Sequence, residues 1–435
     1  MISSKLRPIA AITKKLTLRN IRKNLTTPES KKALTLYGSQ VFGLLFSFIA
    51  QKLNTKFLAT PEDYGIVTAC LAIFTFVYTF FEFGVFSSGA RMLARAETED
   101  EMRQIWGTLC VVSFAISLSF SILLGISSIL FDSLFPIPGV KNAMIAASLL
   151  AWVFPLQYFF QETIPGSQKM YHLSIYNILS KLLYATGLLI IVNILSLGAI
   201  LSLLLNLGAM AVSGITVIIL LKPKLRSWRN RTPELIAEIK EFGIHVYIGR
   251  MFSLPAFNLA GMLVPFLGGS AASAYFSVGG NIASPMTQAS QAIATTLYKN
   301  FSTQKRLKNR LILINFGVLF IIGSAIYLGA PTLIHIAANE KYYAAIPLMF
   351  PLVLAGFFQG FYQPFNIFVT AHGRGKWARQ VSMVGTIFDI CSCIILIPLF
   401  GLIGACWQSV ASRAFWLLLC LYNYRRTVKL LAEMP

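Results

Sequence analysis

The sequence predicts an all-α integral membrane protein with about twelve spanning helices in two parallel six-helix repeats. Three observations carry that expectation. Of 435 residues, 56% are hydrophobic and only 12% charged, against about 25% charged in a typical soluble domain, so lipid must be the solvent for most of the chain. The apolar stretches run to roughly 20 residues, the length of a spanning helix and not of a barrel strand. The cations between them alternate in number from one gap to the next. Backbone groups in lipid must pair internally, which leaves helices or a closed barrel, and stretch length selects helices.

Residues 1–32 are polar and basic, with nine Lys and Arg facing one acid, Glu29. They lack the apolar core of a cleaved signal peptide and read as a solvated tail, with a short basic helix on anionic lipid as the alternative for Ile9–Ile21. Spans then follow at Ala33–Leu58, Gly65–Ser88, Ile105–Phe131, Val140–Gln161, His172–Asn193 and Leu197–Leu221. A second set falls at Phe242–Leu267, Ala271–Leu297, Leu311–Ile334, Tyr343–Val369, Ala378–Leu399 and Leu402–Tyr424. The odd-numbered gaps hold four cations (Lys52, Lys56, Lys141, Lys341), whereas the even-numbered gaps and both tails hold thirty. This positive-inside asymmetry supports twelve spans and puts both termini in the cytoplasm.

The longest cytoplasmic gap, residues 222–241, separates an N-terminal lobe (33–221) from a C-terminal lobe (242–424), with a cytoplasmic tail at 425–435. The lobes echo each other. The fourth and tenth spans end at short polar turns, Pro165–Lys169 and Ala371–Lys376, and the last two spans of each lobe meet at Ser196–Ala199 and Gly401–Ala405. Six spans per lobe give both repeats the same orientation, a common transporter plan. The net charge of +21 is divided among these turns, which argues against nucleic acid as a partner. All six cysteines lie inside apolar segments, where thiols behave as small hydrophobes. Neither a disulfide framework nor metal-ligand spacing is evident, so no metal or cofactor is expected.

Residues 59–65, Ala-Thr-Pro-Glu-Asp-Tyr-Gly, resemble the Leu-Gly-Pro-Glu-x-Tyr-Gly turn of the bacterial polysaccharide transporters. These are the O-antigen-type repeat-unit flippases of the superfamily that includes the multidrug-and-toxin extruders. Glu82-Phe83-Gly84-Val85, followed by Ala90-Arg91 and Ala94-Arg95, is similar to that family's Asp-Leu-Gly-Leu segment. Gly373–Lys376 and Gly401–Ala405 resemble its tenth-to-twelfth-span region. The likeness runs from Ala33 to Tyr424, with Ala-Thr in place of Leu-Gly, Glu82 in place of Asp, and a longer basic N-terminus. The resemblance implies two six-helix lobes forming a V around a cavity that opens alternately to each side. It also implies the cargo, an undecaprenyl-pyrophosphate-linked oligosaccharide moved across the bacterial inner membrane for lipopolysaccharide or other surface polysaccharide, beside other polysaccharide-assembly proteins.

Three cations fall inside spans: Lys181, Arg250 and Arg413. A charge there costs about 2.5–3.5 kcal/mol on insertion scales, so each should face a partner or a wet cavity. Arg250 and Lys181 are expected either to bind pyrophosphate or an acidic sugar, or to pair with a carboxylate elsewhere. Pro255 and Pro265, on the same span as Arg250, are expected to kink it. Arg413 and Asp389 sit at similar depth on adjacent antiparallel spans and are expected to neutralise each other, with cargo binding by Arg413 and coupling to a proton or cation gradient at Asp389 as alternatives. Glu82 is expected to pair with Arg91 or Arg95 at the interface, a candidate gate. His245 reads as an interface residue.

Flippase is therefore the leading functional reading. A multidrug extruder of the same superfamily is its rival, although a pump for organic cations should carry acids in its cavity, and the deep charges here are mostly positive. A membrane enzyme fits poorly, since no outward gap exceeds about a dozen residues and no nucleophile–base constellation is visible.

Overall fold

The computed structural model describes residues 28–134, 137–296, 301, 304–372 and 375–433; most of the basic N-terminal tail and Arg374 lie outside them. The elements in order are α1 (Pro28–Phe57), α2 (Pro61–Tyr78), α3 (Val85–Arg95), α4 (Glu99–Leu134), α5 (Val140–Ser148), α6 (Val153–Thr163), α7 (Met170–Ile191) and α8 (Ala199–Leu221). After a linker helix α9 (Trp228–Glu238) come α10 (Ile244–Thr296), α11 (Asn309–Leu328), α12 (Ala330–Ala337), α13 (Met349–Ala371) and α14 (Gly375–Glu433).

Among the described residues, seven helices are long and apolar enough to cross a membrane, or eight when α5 and α6 count as one broken span. Twelve passages emerge once the breaks are placed. Helix α10 turns back at Gly269 (φ 79°) and α14 at Gly401 (φ 58°), so each is two spans. Helix α1 carries Ser39, Gln40, Ser47, Gln51 and Asn54 along its length, and α2 opens on Pro61-Glu62-Asp63. These polar residues dilute apolar character in the two spans that line the interior.

Several boundaries differ from the sequence expectation. The fourth span is bent by 66° between α5 and α6. The seventh and eighth spans are joined within α10 at Gly269, with no intervening loop. The second span stops at Tyr78, and the chain passes through positive φ at Phe83 (47°) and Gly84 (72°) before α3. The linker is helical over much of its length, and the last helix continues to Glu433, through most of the segment read as a tail.

The Thr60–Gly65 motif now has a physical account. Thr60 caps α2: its hydroxyl accepts from Asp63 N at 3.4 Å, and the Asp63 carboxylate accepts from Thr60 N at 3.2 Å. Pro61 occupies a first-turn position that needs no N–H donor. A Cβ on Gly65 would lie 1.8 Å from the Ser270 carbonyl oxygen, so only glycine lets α2 approach the turn of α10.

That approach closes the end of the molecule remote from the chain termini. Leu53, Tyr64 and Tyr184 of the first half share one buried cluster with Val278, Ile282 and Tyr342 of the second. Thr68 and Ser273 hydroxyls lie 2.9 Å apart. Asn339 Nδ2 donates to Thr55 O and Lys341 Nζ to Ala59 O, each at 2.8 Å, satisfying carbonyls at the end of α1, where a cation also suits the helix dipole.

Gly65→Ala should lower the melting temperature in detergent, because overpacking against backbone costs about 1–3 kcal/mol. Gly208→Ala, where an added Cβ meets nothing within 4 Å, serves as the control and should leave melting unchanged.

Candidate functional site

Toward the end that carries the termini, the two halves separate around a cavity of about 660 Å³. Its wall is rich in neutral amides: Gln40 from α1, Gln157 and Gln161 from α6, Asn177 from α7, and Gln288 and Gln291 from α10. Lys181 is the one charged side chain among its lining residues. It forms no ion pair with any described carboxylate. A half-buried ammonium facing polar, uncharged walls is a point of positive potential, and low-dielectric walls strengthen its field.

Beyond Lys181, further from the termini, lies a smaller chamber of about 270 Å³. Ser47 and Lys181 line both spaces and form the waist between them. The order holds along each helix that contributes to both: Gln40, Ser47, then Gln51 on α1; Asn177, Lys181, then Tyr184 on α7; Met210, then Asn206 on α8; and Gln288, then Asn281 on α10.

At the mouth, Arg250 joins the two halves. Its NH1 donates to Glu82 and its NH2 to Glu162, both at 2.8 Å. The side chain of Glu82 is 3% exposed, while those of Arg250 and Glu162 are about one-third exposed. Glu82 sits in the turn between α2 and α3, Glu162 in the last turn of α6, and Arg250 near the start of α10. One planar fork thus holds two carboxylates of the opposite half through charge-assisted bonds. Close by, Tyr247 donates to Phe80 O at 2.9 Å. A Cβ on Gly84 would lie 2.3 Å from the Gly243 carbonyl oxygen, at a position whose φ of 72° already favours glycine.

This arrangement corrects the expected Glu82–Arg91 gate pair. Arg91 instead pairs with Glu238 at 2.9 Å and covers the Phe242 ring at 4.8 Å, and Arg95 reaches the same Glu238 at 3.3 Å. Both arginines lie on the outer turns of α3, turned toward the linker helix. Lys224 continues this clamp to Asp100, whose carboxyl is held below the usual carboxylate range by hydrogen bonds from Lys224 and Gln104. Glu162 escaped the sequence analysis. Its one signal was an acid closing an otherwise apolar span, directly after Gln161.

Asp389 and Arg413 lie on the two spans of α14 and interact electrostatically. The buried Asp389 carboxylate accepts from Trp416 Nε1 at 3.1 Å, three residues further along the helix that bears Arg413. Neither residue lines the cavity or the chamber. The structure therefore brings Lys181 to the cavity, Arg250 and Glu82 to its mouth, and places Asp389 and Arg413 within the second half.

Residues 30–303 match the family model described as polysaccharide biosynthesis protein, which is more than half of the chain. The chain belongs to the polysaccharide biosynthesis protein family. A comparison with curated proteins finds no match for this family member. Among solved structures it is similar to an inward-facing multidrug resistance MATE family transporter of the MOP superfamily, with 15% identity over 92% of this chain and 99% of that one and a TM-score of 0.70. It is also similar to the lipid II flippase MurJ in an inward closed conformation, with 13% identity over 92% and 91% of the two chains and a TM-score of 0.68. A MOP superfamily transporter from Pyrococcus furiosus gives 16% identity, 92% and 96% coverage, and a TM-score of 0.61. These likenesses show the fold: this polysaccharide biosynthesis protein has the V-shaped, two-lobed architecture of MOP transporters.

Arg250→Ala should lower the melting temperature in detergent more than Glu162→Gln does, because it leaves the Glu82 carboxylate buried without its counter-charge. Breaking a buried pair in this way costs about 3–5 kcal/mol. Removing both charges in Glu82→Gln/Arg250→Met should recover most of the loss. Equal melting of Arg250→Ala and Glu162→Gln would show that Glu82 does not depend on the guanidinium.

Proposed function

We propose that this protein is a flippase that carries an undecaprenyl-pyrophosphate-linked oligosaccharide repeat unit from the cytoplasmic to the outer leaflet of the bacterial inner membrane, in the assembly of O-antigen or a similar surface polysaccharide. One observation carries the proposal: an ammonium, Lys181, without a carboxylate partner among the described residues, in a large cavity otherwise lined by uncharged groups. Such a site suits a cargo that is anionic at one point and hydroxyl-rich elsewhere. The ammonium meets the pyrophosphate, the amides meet sugar hydroxyls, and the lipid tail stays in the bilayer. Family membership and the likeness to a lipid II flippase support the same reading.

In this proposal the termini and the cavity mouth face the cytoplasm. The far end is shut by the Gly65–Ser270 approach and the Tyr64–Tyr342 contact. Transport requires the two lobes to rock, opening that end while the mouth closes. The Arg250 fork, which already ties the lobes at the mouth, is assigned to the gate and not to the cargo. A multidrug extruder is the second reading, supported by the likeness to MATE transporters. The polarity of the cavity opposes it for cationic drugs, since Lys181 would repel them.

In liposomes, the purified protein should move a polyprenyl-pyrophosphate oligosaccharide between leaflets, measured by lectin accessibility. Lys181→Ala should reduce the initial rate at least tenfold, and Lys181→Arg should retain part of it. Efflux of a cationic dye without movement of the lipid-linked sugar would overturn the proposal in favour of the extruder.

A further inference from the structure

At the end that carries the termini, the rims of the two lobes differ sharply in charge. The first lobe and the linker (89–104, 162–171 and 222–241) hold ten cations and eight acids there. Several are paired: Lys169 with Glu99 at 2.6 Å, Arg231 with Glu234 at 2.7 Å and Arg91 with Glu238 at 2.9 Å. The corresponding segments of the second lobe (298–310, 371–380 and 425–435) hold eleven cations and one acid, Glu433. Positive-inside bias sets the sign on a cytoplasmic rim but gives no reason for two lobes of one protein to differ. Even equivalent helices of the repeat contrast. Helix α4 opens on Glu99, Asp100 and Glu101, which suit a helix N-terminus, whereas α11 opens on Asn309 and Arg310 with Lys308 before them.

The basic segments are held in place. Leu307 is buried in a cluster with Phe301 and Phe368, and its N–H donates to the Tyr424 hydroxyl at 3.0 Å. This contact fixes the turn before α11 against the end of α14, and Lys305, Arg306, Lys308 and Arg310 are exposed around it. On α14, Asn423 and Thr427 are buried, while Arg425, Arg426 and Lys429 are exposed. Some of these cations continue the outward apolar stripes of their helices. Leu418 and Tyr422 lead at helical spacing into Arg425 and Lys429, and Ile321 and Ile314 lead back to Arg310.

We infer that this rim is a docking surface for the anionic phospholipid headgroups of the cytoplasmic leaflet, which hold the second lobe and not the first. The inference takes the orientation proposed above and is independent of the cargo. Juxtamembrane cations are attracted to an anionic leaflet only within about a Debye length of its surface. Arg310 and Arg425 directly adjoin the ends of their spans, within that reach. Their place on the outward stripes favours lipid over a soluble acidic partner, because a long cationic side chain there lays its stem on apolar surface and its head among phosphates. The first rim, nearly neutral by internal pairing, has little charge left to offer. Rocking then becomes movement of the first lobe against an anchored second one.

The test is binding of dioleoylphosphatidylglycerol to the purified full chain in neutral detergent by microscale thermophoresis, with dioleoylphosphatidylcholine as the uncharged comparison. Phosphatidylglycerol should bind at least tenfold more tightly, and the preference should shrink as salt is raised. Arg425→Gln/Arg426→Gln/Lys429→Gln and Lys305→Gln/Arg306→Gln/Lys308→Gln should each reduce the preference at least threefold, with melting temperatures unchanged because these side chains are exposed. Lys222→Gln/Arg226→Gln/Arg229→Gln removes as many exposed cations from the linker and should keep the preference. Lys181→Ala should keep it too, which separates headgroup docking from cargo binding. Equal binding of the two lipids by the natural protein overturns the inference, as does an equal loss in the linker variant or a loss confined to Lys181→Ala. Binding of poly-glutamate that disappears in the second-lobe variants, without any lipid preference, would replace the leaflet with an acidic protein partner. Each of these results leaves the flippase reading standing.

Discussion

A charge placed among lipid-embedded helices must find either a counter-charge or water, and the interior of this protein is organised by that demand. Its deep cations meet it in different ways. Arg250 is neutralised by two carboxylates from the other lobe, so it becomes part of the closure between lobes. Lys181 has no such partner among the described residues and is tolerable because a cavity opens its ammonium to water. The cavity is therefore a condition for keeping Lys181 in the membrane as much as a path through it. The same rule explains why the amides of α1 are permitted: Gln40, Gln51 and Asn54 all line interior spaces, and none is left to lipid.

The two lobes are joined at the two ends of the molecule by different chemistry. At the far end closure is a matter of close packing: a glycine against a backbone carbonyl, a shared apolar cluster, and side chains that cap the end of α1. Such contacts are short-ranged and are lost together when the lobes separate. At the mouth the lobes are held by charge-assisted hydrogen bonds about one guanidinium, while the amide-lined cavity beside it stays accessible. Bonds of that kind can be exchanged for bonds to water or to an anion without leaving a buried apolar gap. A structure shut by packing at one end and latched by ions at the other is suited to alternation, because the two closures need not open by the same event.

The linker between the lobes belongs to this design. Its helix is fastened to the first lobe through Arg91, Arg95 and Glu238 and through Lys224 and Asp100, and it leads directly into the helix that carries Arg250. Gly84 and Gly243 allow the chain to cross at backbone contact where the linker enters the second lobe. Displacement of that helix therefore moves the latch and the first-lobe turn holding Glu82 relative to each other.

The amino-acid sequence by itself determined the class of fold and the depth of each charge. The alternation of apolar stretches and basic gaps depends on local hydropathy and on the positive-inside bias, both of which are written residue by residue. The turn at Thr60–Gly65 was legible for the same reason, since a capping box and a first-turn proline are local. Partners were not legible. Glu82 lies close in sequence to Arg91, and proximity suggested that pair, but helix α3 turns Arg91 outward and leaves Glu82 to a guanidinium 168 residues away. Asp389 and Arg413 were placed at one depth, but only the packing of their spans shows that Trp416 also donates to that carboxylate. Glu162 could not be found at all, because only the packing of the two lobes makes it a latch. Depth in a membrane is a property of the segment, whereas facing is a property of the assembly, and the chemistry of this site depends on facing.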